Sequence, residues 1–326
     1  MSGAPFGSVF ASSMATTRFD GTLWSPVQLE SSETLCLHPG SHALHYGSSC
    51  FEGLKAHRQP DGTVVAFRAD RHAARLRDSA RRLCLPVPTT EVVAELIEST
   101  LAACGDDTPD PPGSLYLRPT LLGTDETIGA AAHPSTTAIL YVLACPVGDY
   151  LPPRQLTVTV ETTMPRTTPQ FGSVKTGANY AMALGVIEKA RAADSADQVL
   201  FAPGGVISET GAANVVLIDG ETLLTPALTD GFLHGVTRDS LLQLAVARGW
   251  TVEERTVTVD ELRDRISRPT AELALTGTAA VVASVGTVVI DGEALAVGTP
   301  GVNDRSTELR NALIDVQTGV TRLEFT

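Results

Sequence analysis

The chain has 326 residues, 43% of them apolar, with 24 basic against 37 acidic side chains and a formal charge of −13. That length and apolar fraction fill roughly two hydrophobic cores, and 19% charged residues are too few for a disordered chain. The acidic balance repels phosphate backbones, so no nucleic-acid partner is expected. The longest apolar run, AILYVLAC at 138–145, is far short of the ~20 residues of a membrane helix. The opening MSGAPFGSVF has neither a basic start nor an apolar signal core, so export is not expected and the chain reads as cytoplasmic. Cys36, Cys50, Cys84, Cys104 and Cys145 are odd in number, scattered and free of any CxxC. They read as small apolar groups in a reducing compartment.

In chain order, extended runs at 54–58 and 63–68 join across Asp61-Gly62, a hairpin signal. Asp70 is expected to cap a helix, RHAARLRDSARRL, with Ala73, Leu76, Ala80 and Leu83 at helical spacing. A second helix is expected over 91–103, a proline-rich loop over 106–113, and strands over 114–122 and 137–145. The stretch PVGDYLPPRQ (146–155) breaks two strand-like regions with prolines and a glycine and is the expected boundary. Beyond it, strands are expected at 156–161, 198–201, 206–209, 214–218 and 222–225. A helix is expected over 180–193, and others begin near Val236, Asp260 and Asp304. Short strands with frequent hairpins argue against a doubly wound parallel sheet. The expectation is an α+β protein with domains 1–145 and 156–326 joined by a loop at 146–155, a common setting for a cofactor cleft.

The usual nucleotide loops are missing: no GxGxxG follows a strand, and no GxxxxGK precedes Ser or Thr. His38, His42 and His45 have helical spacing, but Pro39-Gly40 breaks helical geometry there and no Cys or carboxylate ligand is near, so no metal is expected. No GxSxG elbow supports a serine hydrolase. Lysine chemistry is open to elimination, because Lys55, Lys175 and Lys189 are the only lysines among the 24 basic residues. A Schiff-base lysine needs small neighbours, an aromatic hydroxyl close by and a desolvated site that lets it lose its proton. Lys189 faces solvent by helical phase, and Lys55 sits in a strand where it could pair with an acid. Lys175, in FGSVKTGANYAMALG, has small neighbours and Tyr180 five positions on. From these residues alone, a reactive lysine and a surface lysine both stand open at 175.

Over almost its whole length the chain also resembles the branched-chain amino-acid aminotransferases, within the class IV (fold type IV) pyridoxal-phosphate enzymes. The blocks that carry the resemblance include PFGSVFASSM at the start, LHPGSHALHYGSSCFEGLKAHR (37–58), HAARLRDSARRL (72–83) and SLYLRPTLLGT (114–124). They continue through CPVGDYL (145–151), VKTGANY (174–180), VISETGAANVVLI (206–218), GVTRDSLLQLA (235–245), LTGTAA (275–280) and LIDVQTG (313–319). The resemblance implies a smaller N-terminal α/β sandwich domain, a larger C-terminal pseudo-barrel domain that binds pyridoxal 5'-phosphate, and at least a homodimer. It implies transfer of the amino group of leucine, isoleucine or valine to 2-oxoglutarate by a ping-pong route, in branched-chain amino-acid biosynthesis.

Residue by residue, Lys175 matches the lysine that bonds the cofactor and moves protons. Glu209 matches the carboxylate on the pyridine nitrogen, which keeps the ring protonated and so a strong electron sink. Tyr180 matches the hydroxyl on the cofactor's phenolate oxygen. Arg75, Thr278 and the helix start at Val236 and Thr237 match the phosphate site, where a guanidinium and free N–H groups suit an anion. Ala279 matches a backbone donor to the substrate α-carboxylate. Tyr46, Phe51 and Tyr116 match the aromatic pocket wall, and Tyr150 the interdomain loop that closes over it. Arg118 matches the receiver of glutamate's side-chain carboxylate, with Tyr46 assisting; Phe10 aligns more loosely. Tyr116 and Arg118 are two apart in a strand and so share a face.

The chain departs from the family pattern at Ala212-Ala213-Asn214, where bulkier residues are usual. Each methylene lost there removes roughly 0.8 kcal/mol of burial, which would enlarge the pocket and loosen the preference. No redox CxxC is present, and several loops are short. The alternatives are a specialised or D-amino-acid aminotransferase, an aminodeoxychorismate lyase, or a non-catalytic homologue.

Overall fold

The computed structural model describes residues 5–150, 154–302 and 304–325, so positions 151–153 of the expected linker lie outside the described residues. The chain divides into two compact units, Met1–Tyr150 with Val174–Ala178, and Leu151–Ser173 with Asn179–Thr326. Both mix helices and strands, so the α+β expectation is borne out.

The first unit contains β1 (Ser13–Phe19), β2 (Gln28–Ser31), α1 (His42–Tyr46), β3 (Ser49–Phe51), β4 (Leu54–Arg58), β5 (Val64–Ala66), α2 (Ala69–Arg82), α3 (Thr90–Cys104), β6 (Ser114–Gly123) and β7 (Ala138–Val147). Its strands form an antiparallel sheet in the order β2-β1-β7-β6-β4-β5, with β3 also on β6. The hairpin at Asp61-Gly62 forms, with Gly62 at φ 86°, though β5 is shorter than the expected 63–68. Asp70 is not the cap of α2. Arg68 takes that place in a left-handed conformation, and Asp70 falls in the first turn, where its charge suits the helix dipole. In α3, by contrast, the Thr89 side chain accepts from the Val92 N–H.

Alternation along these strands divides the sheet into two unlike faces. Leu54, Ala56, Leu115, Leu117, Leu121, Leu140, Val142 and Ala144 face one way and pack with Ala73, Leu76 and Ala80 of α2 and Val93, Leu96 and Ile97 of α3. The residues between them, among them Lys55, His57, Ser114, Tyr116 and Arg118, face the other way. Register places Lys55 opposite Tyr116.

The second unit contains β8 (Leu156–Glu161), α4 (Gly177–Asp194), β9 (Gln198–Phe201), β10 (Asn214–Asp219), β11 (Thr222–Pro226), α5 (Val236–Ala247), β12 (Thr251–Arg255), α6 (Val259–Ile266), β13 (Ala271–Gly277), β14 (Val281–Ile290), β15 (Glu293–Ala296) and α7 (Asp304–Gln317). Its sheet runs β12-β11-β10-β13-β14-β8-β9, with β15 on β14. The β11/β12, β14/β8 and β8/β9 pairs are parallel. Central strands such as β10 are buried on both faces, which explains their continuous apolar runs. The strand expected at 206–209 does not form. After Pro203, Gly204 and Gly205 both take positive φ, and Val206 keeps only an isolated bridge to Thr258. Glu209 therefore lies in irregular backbone, with its carbonyl accepting from the Phe201 N–H at 3.0 Å.

On the second face of the first sheet, His57 is 3% exposed and neither ring nitrogen has a partner among the described residues. Burial, and then the charge of Lys55, push its imidazole down to about 3. The unfolded chain takes up that proton near the ordinary imidazole value of 6.5, whereas the folded chain refuses it until about 3. Stability therefore falls as pH drops through that window. We predict that His57→Gln, which cannot titrate, relieves roughly 3 kcal/mol of the loss at about pH 4.5. Urea midpoints of both proteins at neutral pH and near pH 4.5 check this; equal acid sensitivity would contradict it.

Candidate active site

In the first unit the polar sheet face carries most of the expected pocket residues. Phe10, Phe51, Tyr116 and Arg118 line one cavity of about 420 Å³, together with Phe6, Gly7, Thr120, Tyr141, Leu143 and Cys145. Arg118 donates to the Tyr116 hydroxyl from Nη2 at 2.7 Å and Nε at 3.2 Å. Its Cζ stands 4.7 Å from the Phe51 ring centroid. The cation is thus held by its strand neighbour two residues away and laid over an aromatic face. Tyr150 joins this wall through Phe6, whose ring centroid is 5.2 Å from Tyr150 and 5.0 Å from Tyr116. Tyr46 does not line the cavity. Its hydroxyl donates to the Ile128 carbonyl, and its ring packs 4.9 Å from His42.

Lys175 groups with this unit. Its backbone N–H donates to Ser79 Oγ of α2 at 3.0 Å, its carbonyl accepts from the Phe51 N–H at 3.0 Å, and its Nζ lies 5.3 Å from the Phe51 ring centroid. Next to it, Thr176 is fully buried and its Oγ1 has no partner among the described residues. The other two lysines differ: Lys55 is buried on its strand, and Lys189 is exposed on α4.

Sequence reasoning missed Glu52. Its carboxylate is 1% exposed and takes Arg75 Nε at 2.7 Å, Arg75 Nη2 at 2.8 Å, His72 Nδ1 at 2.7 Å and the Gly53 N–H at 3.2 Å. Burial opposes ionisation, but the Arg75 charge and hydrogen bonds, and then His72, outweigh it and hold the carboxyl far below the usual range. Burial is the chief influence on His72 and pushes its imidazole down, while the Glu52 carboxylate beside it pulls the other way. Glu52 thereby fixes the orientation of Arg75. Gly53 was also missed: a Cβ there would lie 2.0 Å from the Tyr116 hydroxyl oxygen. Only the strand register names the neighbour for which this glycine makes room.

The histidines considered for a metal serve local structure. His42 bonds Ser48 Oγ and the His133 carbonyl, His45 the Pro39 carbonyl, and His38 Nδ1 accepts from the Gly40 N–H.

In the second unit, Glu209, the start of α5 and the turn after β13 gather around Asn214, the first residue of β10. Asn214 Nδ2 donates to the Leu233 carbonyl at 2.8 Å and stands 3.4 Å from Glu209 Oε2. A Cβ at Gly235 would come within 2.1 Å of Asn214 Oδ1, so the residue before Val236 and Thr237 has to be glycine. No side chain caps α5, which leaves its opening N–H groups suited to an anion. Asn214 pairs with Thr276 across β10 and β13, one register step from Gly277 and the Thr278-Ala279 turn. Ala213 is half-buried, 3.9 Å from the Cβ position of Gly277, while Ala212 is exposed.

Arg166 completes this cluster and was also missed. Its Nη1 donates to Glu209 Oε1 at 2.7 Å, with both side chains 3% exposed. Its Nε donates to the Gly211 carbonyl at 3.2 Å, and its Cζ lies 5.2 Å from the Tyr180 ring centroid. Tyr180 sits inside α4, which begins three residues earlier than expected, at Gly177.

Comparison with known proteins gives the family. Residues 49–288 match the amino-transferase class IV family, so the chain belongs to the class IV aminotransferases. It is 35% identical over 324 residues to a probable branched-chain-amino-acid aminotransferase of Streptomyces coelicolor, covering 96% of this chain and 89% of the relative. It is likewise 35% identical over 304 residues to branched-chain-amino-acid aminotransferase 5, chloroplastic, of Arabidopsis thaliana, covering 91% of this chain and 71% of the relative. Among solved structures, a branched-chain amino acid aminotransferase of Escherichia coli superposes with TM-score 0.77 at 26% identity, covering 97% of this chain and 98% of that one. The family and fold type read from the sequence are borne out.

Because Glu52 is buried against two partners, we predict that Glu52→Gln destabilises the protein by about 3–5 kcal/mol. Guanidinium unfolding of the variant checks this, and a loss below about 1 kcal/mol would show the pairing to be incidental.

Proposed function

We propose that the protein is a pyridoxal-phosphate-dependent transaminase that moves the amino group of branched-chain L-amino acids to 2-oxoglutarate. The observation that carries the substrate assignment is the cavity wall of Phe10, Phe51, Tyr116 and Leu143 around a fixed Arg118. An aliphatic side chain suits the apolar part of that wall, and glutamate's second carboxylate suits the guanidinium. The exposed Ala212, in place of a bulkier residue, favours a second reading within the same chemistry, a broader or specialised amino-acid range.

The residues present fit the cofactor. A dry, ion-paired carboxylate at Glu209 suits a protonated ring nitrogen, and an uncapped helix start suits a phosphate. Bound pyridoxal phosphate supplies an aldehyde that takes the substrate amine and an electron-poor ring that accepts the electrons released at the substrate Cα. The chain does the rest. Lys175 Nζ would hold the cofactor's aldehyde and, once displaced by the substrate amine, would be the free amine able to accept and return the substrate Cα proton. Glu209 would hold the ring-nitrogen proton, and the Tyr180 hydroxyl would donate to the phenolate oxygen. Arg75, Thr278 and the N–H groups of Val236 and Thr237 would hold the phosphate. Ala279 N–H would take the substrate α-carboxylate, while Phe51, Tyr116 and Tyr150 would shape the side-chain site. Glu52 acts at one remove, by aiming Arg75.

We place the protein in the cytoplasm, as a homodimer. All five cysteines are free thiols, which fits a reducing compartment. No helix among the described residues is long and apolar enough to cross a membrane. Met182 and Leu184 of α4 are 53% and 56% exposed, apolar surface that a second copy would cover.

Two substitutions test the assignment. Lys175→Ala is expected to abolish the cofactor's visible absorbance shift on adding L-leucine and to reduce turnover by at least about 10³-fold; normal turnover would refute the role of this lysine. Arg118→Ala is expected to lower kcat/KM for glutamate about 10-fold more than for leucine, the loss of one charged hydrogen-bond partner. Equal losses for the two donors would remove Arg118 from carboxylate recognition.

A further inference from the structure

We propose that Arg166 is a positioning residue that sets both Glu209 and Tyr180 against the cofactor ring, an inference that rests on the roles given to those two residues above. Three observations carry it. Arg166 Nη1 and the Leu233 N–H, at 2.7 and 3.0 Å, both occupy Glu209 Oε1. Two strong donors on one oxygen turn the carboxylate so that the ring nitrogen falls to Oε2, where Asn214 Nδ2 stands at the long distance of 3.4 Å. Arg166 is itself held at a second point, by Nε to the Gly211 carbonyl at 3.2 Å. The planar guanidinium therefore cannot swivel without breaking one of its bonds.

The same group lies 5.2 Å from the Tyr180 ring centroid. A cation over a phenol ring is attracted to its face and fixes the ring plane, and hence the direction of the hydroxyl. The segment around Arg166 is tied to the start of α4 independently. Thr167 Oγ1 donates to Asn179 Oδ1 at 2.8 Å, and Asn179 Nδ2 donates to the Phe171 carbonyl at 2.9 Å. One buried side chain thus links the group that would meet the ring nitrogen to the group that would meet the phenolate oxygen. Lysine can restore the charge but not the fork, so charge and geometry are separable.

The test compares Arg166→Gln, Arg166→Lys and Glu209→Gln as holoproteins, with the pH titration of the cofactor's visible absorbance as readout. Removing the negative charge in Glu209→Gln disfavours the protonated cofactor and lowers the titration midpoint. Removing the positive charge in Arg166→Gln raises it, each by about one pH unit or more. Arg166→Lys returns the midpoint to within about half a unit of the parent while cofactor retention on dialysis stays at least about 10-fold weaker, because the fork is missing. A midpoint in Arg166→Gln that is unchanged, or that moves the same way as in Glu209→Gln, overturns the proposal. An unchanged midpoint in Glu209→Gln instead overturns the reading of Glu209 on which the proposal rests.

If Arg166→Gln does not fold, the apoprotein of Arg166→Lys decides. With 3-fluorotyrosine at the five tyrosines, the fluorine resonance of Tyr180, assigned by Tyr180→Phe, shifts in Arg166→Lys. An unmoved resonance overturns the contact.

Discussion

An ionised carboxylate placed where water cannot reach it has to meet fixed positive charge and N–H donors, or it is not tolerated. Both units of this protein meet that constraint with an arginine. In the first, Glu52 gathers Arg75, His72 and the Gly53 N–H. In the second, Glu209 gathers Arg166, Asn214 and the Leu233 N–H. In each case the pairing fixes the direction of a long side chain that would otherwise sample many rotamers. Arg75 is aimed by Glu52, and Glu209 is aimed by Arg166.

The first sheet separates stability from recognition by the simplest property of a strand, the alternation of its side chains. One face is a closed apolar layer under α2 and α3. The other carries Phe51, Tyr116 and Arg118 around a cavity. Because both faces belong to the same strands, the rigid packing of one holds the other in place. Tyr116 shows the economy of this arrangement: its hydroxyl fixes Arg118, and it fits only because residue 53 has no Cβ.

Much of the architecture was legible in the sequence. Helical spacing located α2 and α3, and the turn at Asp61-Gly62 located a hairpin, because these are local regularities. The strand expected at 206–209 failed for a reason that is not local. The apolar run there is interrupted so that Glu209 can leave the sheet and reach Arg166, which lies 43 residues earlier. The cap assigned to Asp70 failed because Arg68 takes a left-handed conformation that its type does not announce.

Family blocks gave the class of enzyme and pointed to Lys175, Tyr180, Glu209, Arg75 and a pocket wall as its proposed site. They did not reveal Glu52, Gly53, Asn214 or Arg166 as parts of the same machinery. By itself the sequence determined most of the element types, the α+β class and the family, since each is written in short-range pattern or in ordered motifs. Tertiary structure alone decided which charges meet in the dry interior, which donors reach Glu209 and which glycine makes room for Tyr116. Those outcomes depend on strand register and loop placement between residues far apart in the chain, and no spacing along the chain encodes a distance across it.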